Sequence, residues 1–537
     1  MERQKGLNLY LVGLLLLMCV YTGACASIPL DYPKTASSAL PPSNQTRLWN
    51  GINSQSERHV GKSGFFLIPS GMDAFLSRYF LIEAADRTLD LQYYMFHDDE
   101  TGMLLMERII AAANRGVRVR LLFDDWNIAG KDFDLSMFNA HPNIKVRVFN
   151  PFSGDRSTDL SRLFQSAFGD KRLQQRMHNK VFVADNTVTI VGGRNLGNEY
   201  FDASSNVNFS DLDILITGPI TRQVSTAFDE YWNSELSAPI EAIAASKPSI
   251  DDLKEGQRVL QANKEKLKDS EYAKGVKDSD ILSRLIAGNV PFVWAEGVFL
   301  WDRPIKVKSS LNQDSSAYLA PRLDAYARGA RSEVLMMSPY LVPGVGGLQK
   351  LKEHRDRGGK IKILTNSLAS NDVKAAHGGY ANYRKEMLRL GVELYEMKPT
   401  AGDSTMERPR KLVGSSKGAL HAKTYIIDRE LVFVGSFNFD SRSRTLNTEG
   451  GIGVQSREIA EQAARIFEAR TSPDRAYRVT FETESPQREG TPIEDMRLIW
   501  VTEENGKMVR YDTEPMTDIW ERVGVEILSW FVPEEML

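Results

Sequence analysis

Cysteine is almost absent from this 537-residue chain: there are two, Cys19 and Cys25, both near the N-terminus. The rest of the chain therefore holds no disulfide framework and no cysteine-based metal site. A thiol-free body suits an oxidising compartment. Histidine is scarce too, with seven in all. Charge is nearly balanced, and a net −3 gives no global basic footprint for nucleic acid. Beyond the N-terminal segment no apolar run is long enough to cross a bilayer. Hydrophobic content of 42% and charged content of 26% are ordinary for a folded body, and the length points to two or more domains.

The N-terminus carries a targeting segment. Arg3 and Lys5 precede an apolar run over residues 7–20, and Thr22-Gly23-Ala24-Cys25 follows. Those four residues resemble a bacterial lipobox, with Thr22 where Leu is usual. The resemblance implies lipidation at Cys25 and a place in the cell envelope, anchored through the N-terminus. An uncleaved anchor and simple secretion are the alternatives. Residues 1–25 are thus set apart as a signal or lipoprotein-type segment. Residues 26–60, rich in Ser, Pro, Thr and Asn, read as a flexible tether.

The body then repeats a plan. In the first half, 73–87 have the spacing of an amphipathic helix, 89–96 read as a strand, 102–115 as a helix and 117–123 as a strand ending at Asp124-Asp125. In the second half, 321–331 are helical, 334–340 a strand, 348–357 helical, and 361–365 a strand ending at Asn366. Helices alternating with short β-rich runs predict an α/β sheet in each half. The divisions are 61–240 for the first half, 241–290 for a helical, charged connection, 291–474 for the second half and 475–537 for a C-terminal extension. In the extension, 477–481 and 497–502 are β-like, and the apolar stretch 527–532 reads as packed on the core.

Each half carries the same pattern. The first is His178-Asn179-Lys180, Asp185, Gly192-Gly193-Arg194-Asn195. The second is His421-Ala422-Lys423, Asp428, Gly435-Ser436-Phe437-Asn438. With so few histidines, two matching copies point to an internal repeat and to one shared site. Residues 177–184 and 420–427 look like strands, in which i and i+2 share a face, so each His points the same way as its Lys. Turns follow at Asp185-Asn186 and Asp428-Arg429-Glu430, and strands over 187–191 and 431–434 lead back to Asn195 and Asn438. Asp185 and Asp428 belong to the pattern and to the candidate catalytic set, but their odd spacing from the lysines predicts a turn-holding role. Asp211 and Glu449 are the candidates for holding the histidine rings, since a carboxylate on one ring nitrogen fixes the tautomer and favours the imidazolium. Asp213 competes with Asp211. His59, His97, His141, His354 and His377 have no such context and read as surface or loop residues. Tyr93, Tyr94 and Tyr340, near matching strand ends, border the pocket or pack in the core.

Two His, two Lys and two Asn suit a phosphodiester. Lys180, Lys423, Asn195 and Asn438 supply donors to the non-bridging oxygens. One His attacks phosphorus to give a phosphohistidine; the other protonates the leaving oxygen and then deprotonates the incoming alcohol or water. No metal and no cofactor is expected, because the lysines neutralise charge and H-x-K offers one ligand beside one repelling cation.

These residues resemble the signature of the phospholipase D superfamily, from about Gly61 onward. Within it the chain is similar to bacterial cardiolipin synthases of the C type, on Arg176-Met177-His178-Asn179-Lys180, Val191-Gly192-Gly193-Arg194-Asn195-Leu196-Gly197, Ser210-Asp211-Leu212-Asp213, Ser338-Pro339-Tyr340 and the closing Pro533-Glu534-Glu535-Met536-Leu537. It departs at Gly193, where many members carry Ser. The resemblance implies two phospholipase D-like α/β sandwich halves around one pseudo-two-fold active site. It implies His178 as nucleophile and His421 as acid/base, with the reverse assignment open. The activity it implies is a membrane-associated phosphatidyltransferase making cardiolipin, with phospholipid substrates and no nucleic acid. The alternatives are a phospholipase D hydrolase releasing phosphatidic acid, or a phosphodiesterase or nuclease of the same superfamily.

Overall fold

The structure, a computed structural model, describes residues 32–128, 131–152, 156, 158, 160–162, 165, 171–244, 247–267, 279–307, 318–400, 417–482, 492 and 495–533. Cys19, Cys25 and the N-terminal apolar run lie outside the described residues. Among those described, no helix is long and apolar enough to cross a membrane.

The first half contributes β1 (Ser63–Ile68), β2 (Thr88–Tyr93), β3 (Arg118–Asp124), β4 (Ile144–Phe149), β5 (Val181–Ala184), β6 (Val188–Gly192), β7 (Val207–Ser210), β8 (Asp213–Thr217) and β9 (Ser237–Pro239). The second contributes β10 (Val293–Trp301), β11 (Glu333–Met337), β12 (Lys360–Asn366), β13 (Glu393–Met397), β14 (Lys417–Leu420), β15 (Lys423–Ile427), β16 (Leu431–Gly435), β17 (Gly450–Gln455) and β18 (Ala476–Phe481). Two more, β19 (Leu498–Glu504) and β20 (Lys507–Tyr511), extend it. The parallel triplet β2-β3-β4 recurs as β11-β12-β13. A helix leads into each triplet, Gly71–Ala84 or Leu319–Arg328, and the crossovers that parallel neighbours need are Glu100–Asn114 and Asp132–Asn139 in the first half, Gly344–Asp356 and Lys374–Arg389 in the second. Ser70 and Asp99 cap Gly71–Ala84 and Glu100–Asn114 by accepting the backbone N–H of Asp73 and Gly102.

Pairing runs β9-β4-β3-β2-β5-β6-β8-β1 in the first half and β10-β17-β16-β15-β11-β12-β13-β18-β19-β20 in the second. β1 also pairs antiparallel with β10, with Ser63 opposite Ala295, so the two sheets become one. The helices Pro219–Asn233 and Arg457–Arg470 pack at this seam. A single buried cluster there joins Phe65, Ile214 and Val224 of the first half to Phe299, Ile452 and Phe467 of the second. Each such side chain, fully buried, stabilises the join by about 1.5–3 kcal/mol.

The structure corrects four expectations. The tether read over 26–60 is, from residue 32 on, packed on the first half. Lys34 Nζ donates to the Ser234 and Ser237 carbonyls, and the Asp229 carboxylate accepts from the Ala39 N–H. Arg120 of β3 and Arg147 of β4 donate to the Ser37 and Thr35 carbonyls, and these bonds outweigh the segment's loop-like composition. The C-terminal extension begins with β18, a strand of the sheet itself. In the helix Ile519–Phe531, Trp520, Ile527 and Leu528 are exposed rather than packed. Finally, His354 and His377 are buried on helices rather than at the surface or in loops, while His141 lies in a loop ahead of β4 but is buried.

Candidate functional site

Each hairpin of the repeat turns through two residues in the left-handed region: Asp185 and Asn186 at φ 53° and 50°, Asp428 and Arg429 at 52° and 53°. That is the backbone of a type I′ turn, whose twist matches the flanking strands. The Asp185 carboxylate accepts the backbone N–H groups of Asp86, Arg87 and Thr88 at 2.7–3.0 Å. Asp428 does the same for Arg331, Ser332 and Glu333. These two aspartates pin the turns to the residues just ahead of β2 and β11. They stand about 16 Å along the strand from the lysines, which removes them from the reacting groups and leaves them a structural role.

At the other end of each hairpin the chain leaves its own sheet. The strand expected over 177–184 starts only at Val181, and the one over 420–427 is interrupted at His421-Ala422. The cause is pairing between the halves. β7 and β14 lie parallel, with Ser210 opposite Leu420, and Met177 forms a parallel bridge with Thr448. The His421 N–H donates to the Ser210 carbonyl at 2.8 Å, and the His178 N–H to the Thr448 carbonyl at 2.9 Å. One residue further along each pairing, a histidine meets a carboxylate of the other half. His178 Nδ1 lies 2.9 Å from Glu449 Oε2. His421 Nδ1 lies 2.6 Å from Asp211 Oδ2. Asp213 is excluded from this role because it pairs with Arg78 at 2.9 Å.

With both Nδ1 atoms engaged, the two Nε2 atoms are left for chemistry. Lys180 Nζ donates to its histidine's carbonyl at 2.6 Å, and Lys423 Nζ to its own at 2.5 Å. The edges of Tyr94 and Tyr200 face the rings of His178 and His421 at 5.1 and 5.2 Å between centroids. Tyr93 instead accepts from Arg78, and Tyr340 donates to Asp372. The asparagines differ. Asn195 is engaged, accepting the Met95 N–H and donating to Tyr200 Oη. Asn438 Oδ1 is buried and has no hydrogen-bond partner among the described residues.

The two carboxylates are unlike. Asp211 is held well below the usual carboxylate range: burial would raise it, but His421, Lys423 and Arg194 together outweigh that. Burial pushes Glu449 up to about 7, against the pull of Lys180. Ser436 Oγ donates to Glu449, and so does Ser443 Oγ at 3.1 Å. The position of Ser436 is Gly193 in the first half, where an added Cβ would stand 2.3 Å from Asp211 Oδ1. Glycine there lets the aspartate reach its histidine. Burial and the neighbouring lysines lower His421 to about 4 and His178 well below its ordinary value. Burial also lowers Lys423 to about 8 and Lys180 well below its ordinary value. A phosphodiester anion among these four groups would favour their charged forms.

Sequence reasoning missed Tyr200, Ser436 and Ser443. It also missed the buried pair Asp302–Lys306, at 2.9 Å, whose carboxylate accepts the Glu449 N–H. Only Ser436 lay within the repeated pattern; the others are brought in by the fold. Among the described residues one trio, His97, Asp99 and Glu199, has the donor atoms to hold a metal ion. Its Asp99 already caps a helix and accepts the Asn198 N–H, so its oxygens are committed.

Residues 80–232 and 323–471 match a family model described as cardiolipin synthase, PLD-like domain. The chain is 38% identical to cardiolipin synthase C of Escherichia coli over 514 residues, covering 94% of this chain and all of that protein. It is 26% identical over 391 residues to a cardiolipin synthase of Geobacillus kaustophilus, covering 71% of this chain and 61% of that one. Among solved structures, phosphatidylserine synthase from Haemophilus influenzae Rd KW20 covers 78% of this chain and 90% of its own. The TM-score is 0.51 and the identity 12%, a likeness of fold.

Proposed function

The chain belongs to the cardiolipin synthase family with phospholipase D-like domains, and from that premise we propose that it is a phosphatidyltransferase. It moves a phosphatidyl group from one phospholipid to a headgroup hydroxyl of another, making cardiolipin. The observation that carries this reading is the pair of histidines, each with Nδ1 on a carboxylate of the opposite half and each beside a buried lysine.

In the first step His178 Nε2 attacks phosphorus. A P–N bond forms, the P–O bond to the leaving headgroup breaks, and His421 Nε2 gives that oxygen a proton. In the second step the acceptor hydroxyl passes its proton to His421 and attacks phosphorus; P–O forms and P–N breaks. Lys180 and Lys423 hold the non-bridging oxygens, with Asn438 and Asn195 in support. Asp211, already ionised, stabilises the imidazolium that His421 becomes. The N-terminal apolar segment, with Cys25 as lipidation site, keeps the enzyme at the envelope membrane where its substrates lie.

The test supplies membranes or mixed micelles with labelled phosphatidylglycerol, with and without phosphatidylethanolamine. Labelled cardiolipin is expected, and the His178→Asn and His421→Asn variants should form none. Phosphatidic acid in place of cardiolipin would replace the transferase reading with hydrolysis, and no lipid turnover at all would sink both.

A further inference from the structure

We propose that Asp124 and Asn366 are a matched pair of positioning residues, one for each histidine, acting through the peptide just ahead of it. The proposal rests on the functional reading above. Asp124 ends β3 and Asn366 ends β12, the central strands of the two parallel triplets. Both are fully buried. Asp124 Oδ2 accepts the N–H of Met177, the residue before His178, at 2.8 Å. Asn366 Oδ1 accepts the N–H of Leu420, the residue before His421, at 2.7 Å, and its Nδ2 donates to the Leu420 carbonyl at 2.9 Å. So the same place in each half grips the same peptide relative to the histidine.

The grip falls where it matters for chemistry. Each histidine sits where the chain has left its own sheet, so the ladder that fixes β5 or β15 does not fix the ring. The opposite half holds this segment at the next amide, the histidine's own N–H, through the carbonyl of Thr448 or Ser210. Asp124 or Asn366 ties it back to the histidine's own half. Two such anchors, from two directions, define where Nε2 points.

The pair is matched in place but not in chemistry. Both oxygens of Asp124 accept backbone N–H groups, from Met177 and from Trp126, and the Arg176 guanidinium balances the charge at 3.0 Å. An asparagine there would turn an NH2 toward one of those donors whichever way it faced. Asn366 needs one acceptor and one donor, and an aspartate there would set a carboxylate oxygen against the Leu420 carbonyl. Neither residue can do the other's work, though the two side chains have the same shape.

The experiment compares the full chain with the shape-preserving variants Asp124→Asn and Asn366→Asp in the labelled-lipid assay, together with thermal melting. Misplacing a reacting group by about 1 Å costs roughly 100-fold in rate. Each variant is therefore expected to lose kcat per folded molecule on that scale, with KM within about twofold; the buried mismatch lowers the melting midpoint but leaves the chain folded at the assay temperature. Variants with wild-type kcat would overturn the inference. Variants that fail to fold would overturn it as well, since the residues would then be holding the fold rather than aiming the rings. If the wild type itself transfers no phosphatidyl group, it is the functional reading that falls.

Discussion

Replacing Asp211 by Asn should damage the enzyme far more than replacing Glu449 by Gln. Both substitutions keep the shape of the carboxylate and remove its charge. Asp211 is ionised throughout the working pH range and lies against His421 Nδ1 at 2.6 Å. In the proposed mechanism His421 takes up a proton, and that anion stabilises it. With charge centres about 4 Å apart and an effective dielectric constant near 20, the interaction is about 4 kcal/mol, or roughly 1,000-fold in rate. Glu449 titrates at about 7, so near neutrality much of it already carries a proton. Its loss removes a fraction of a charge, and the hydroxyls of Ser436 and Ser443 still face the amide. A loss of roughly 10- to 30-fold is expected there. The assay is kcat for labelled cardiolipin formation near pH 7.5, with a melting curve for each variant. Equal losses, or a larger loss in Glu449→Gln, would refute the assignment of the permanent charge to the His421 side.

Asp440, pushed up to about 7 by burial, caps the short helix Ser441–Thr445. Between its ordinary value near 3.8 and 7 the folded chain holds a proton that the unfolded chain has lost, so this group makes stability fall as pH rises through that window and contributes nothing further above it. Asp440→Asn keeps the cap and should flatten that slope, leaving the variant relatively more stable at pH 8 than at pH 5 in denaturant titrations. Gly193→Ala places a Cβ against the Asp211 carboxylate; transfer should fall at least tenfold, with about 1–3 kcal/mol of destabilisation, read by kcat and denaturant midpoint. Asp185→Ala leaves three backbone N–H groups without their acceptor; stability should drop by about 2–4 kcal/mol. The same variant should keep kcat per folded molecule within about threefold, which separates the turn from the chemistry.

Local signals made much of the framework legible. β2 and β3 are buried along nearly their whole length, as expected of parallel strands under helices, and they read as β-rich runs to within one to three residues. The hairpins were legible for a different reason: strand periodicity places His and Lys together and turns the aspartates away. β7 and β14 were not legible. Val-Asn-Phe-Ser alternates over only four residues and Lys-Gly-Ala-Leu not at all, too little to mark a strand alone, and they are strands because they pair with each other across the halves. The partnership of each carboxylate was hidden likewise. Glu449 is 271 positions from His178 and Asp211 is 210 from His421, and no local pattern records which goes to which. His141, His354 and His377 show the same limit, since burial of a single ring is decided by what the fold lays over it.

The crossing of carboxylates also sets an order in time. During synthesis His178 emerges and its hairpin can close, yet its ring has no carboxylate until residue 449 has been made and docked. Asp211 likewise waits for His421. Neither half is a working fragment with a helper attached; each is a holder for the other's histidine. On the proposed function, a chain that ends before residue 449 lacks one carboxylate of the site, and competence for transfer arrives with the joining of the halves.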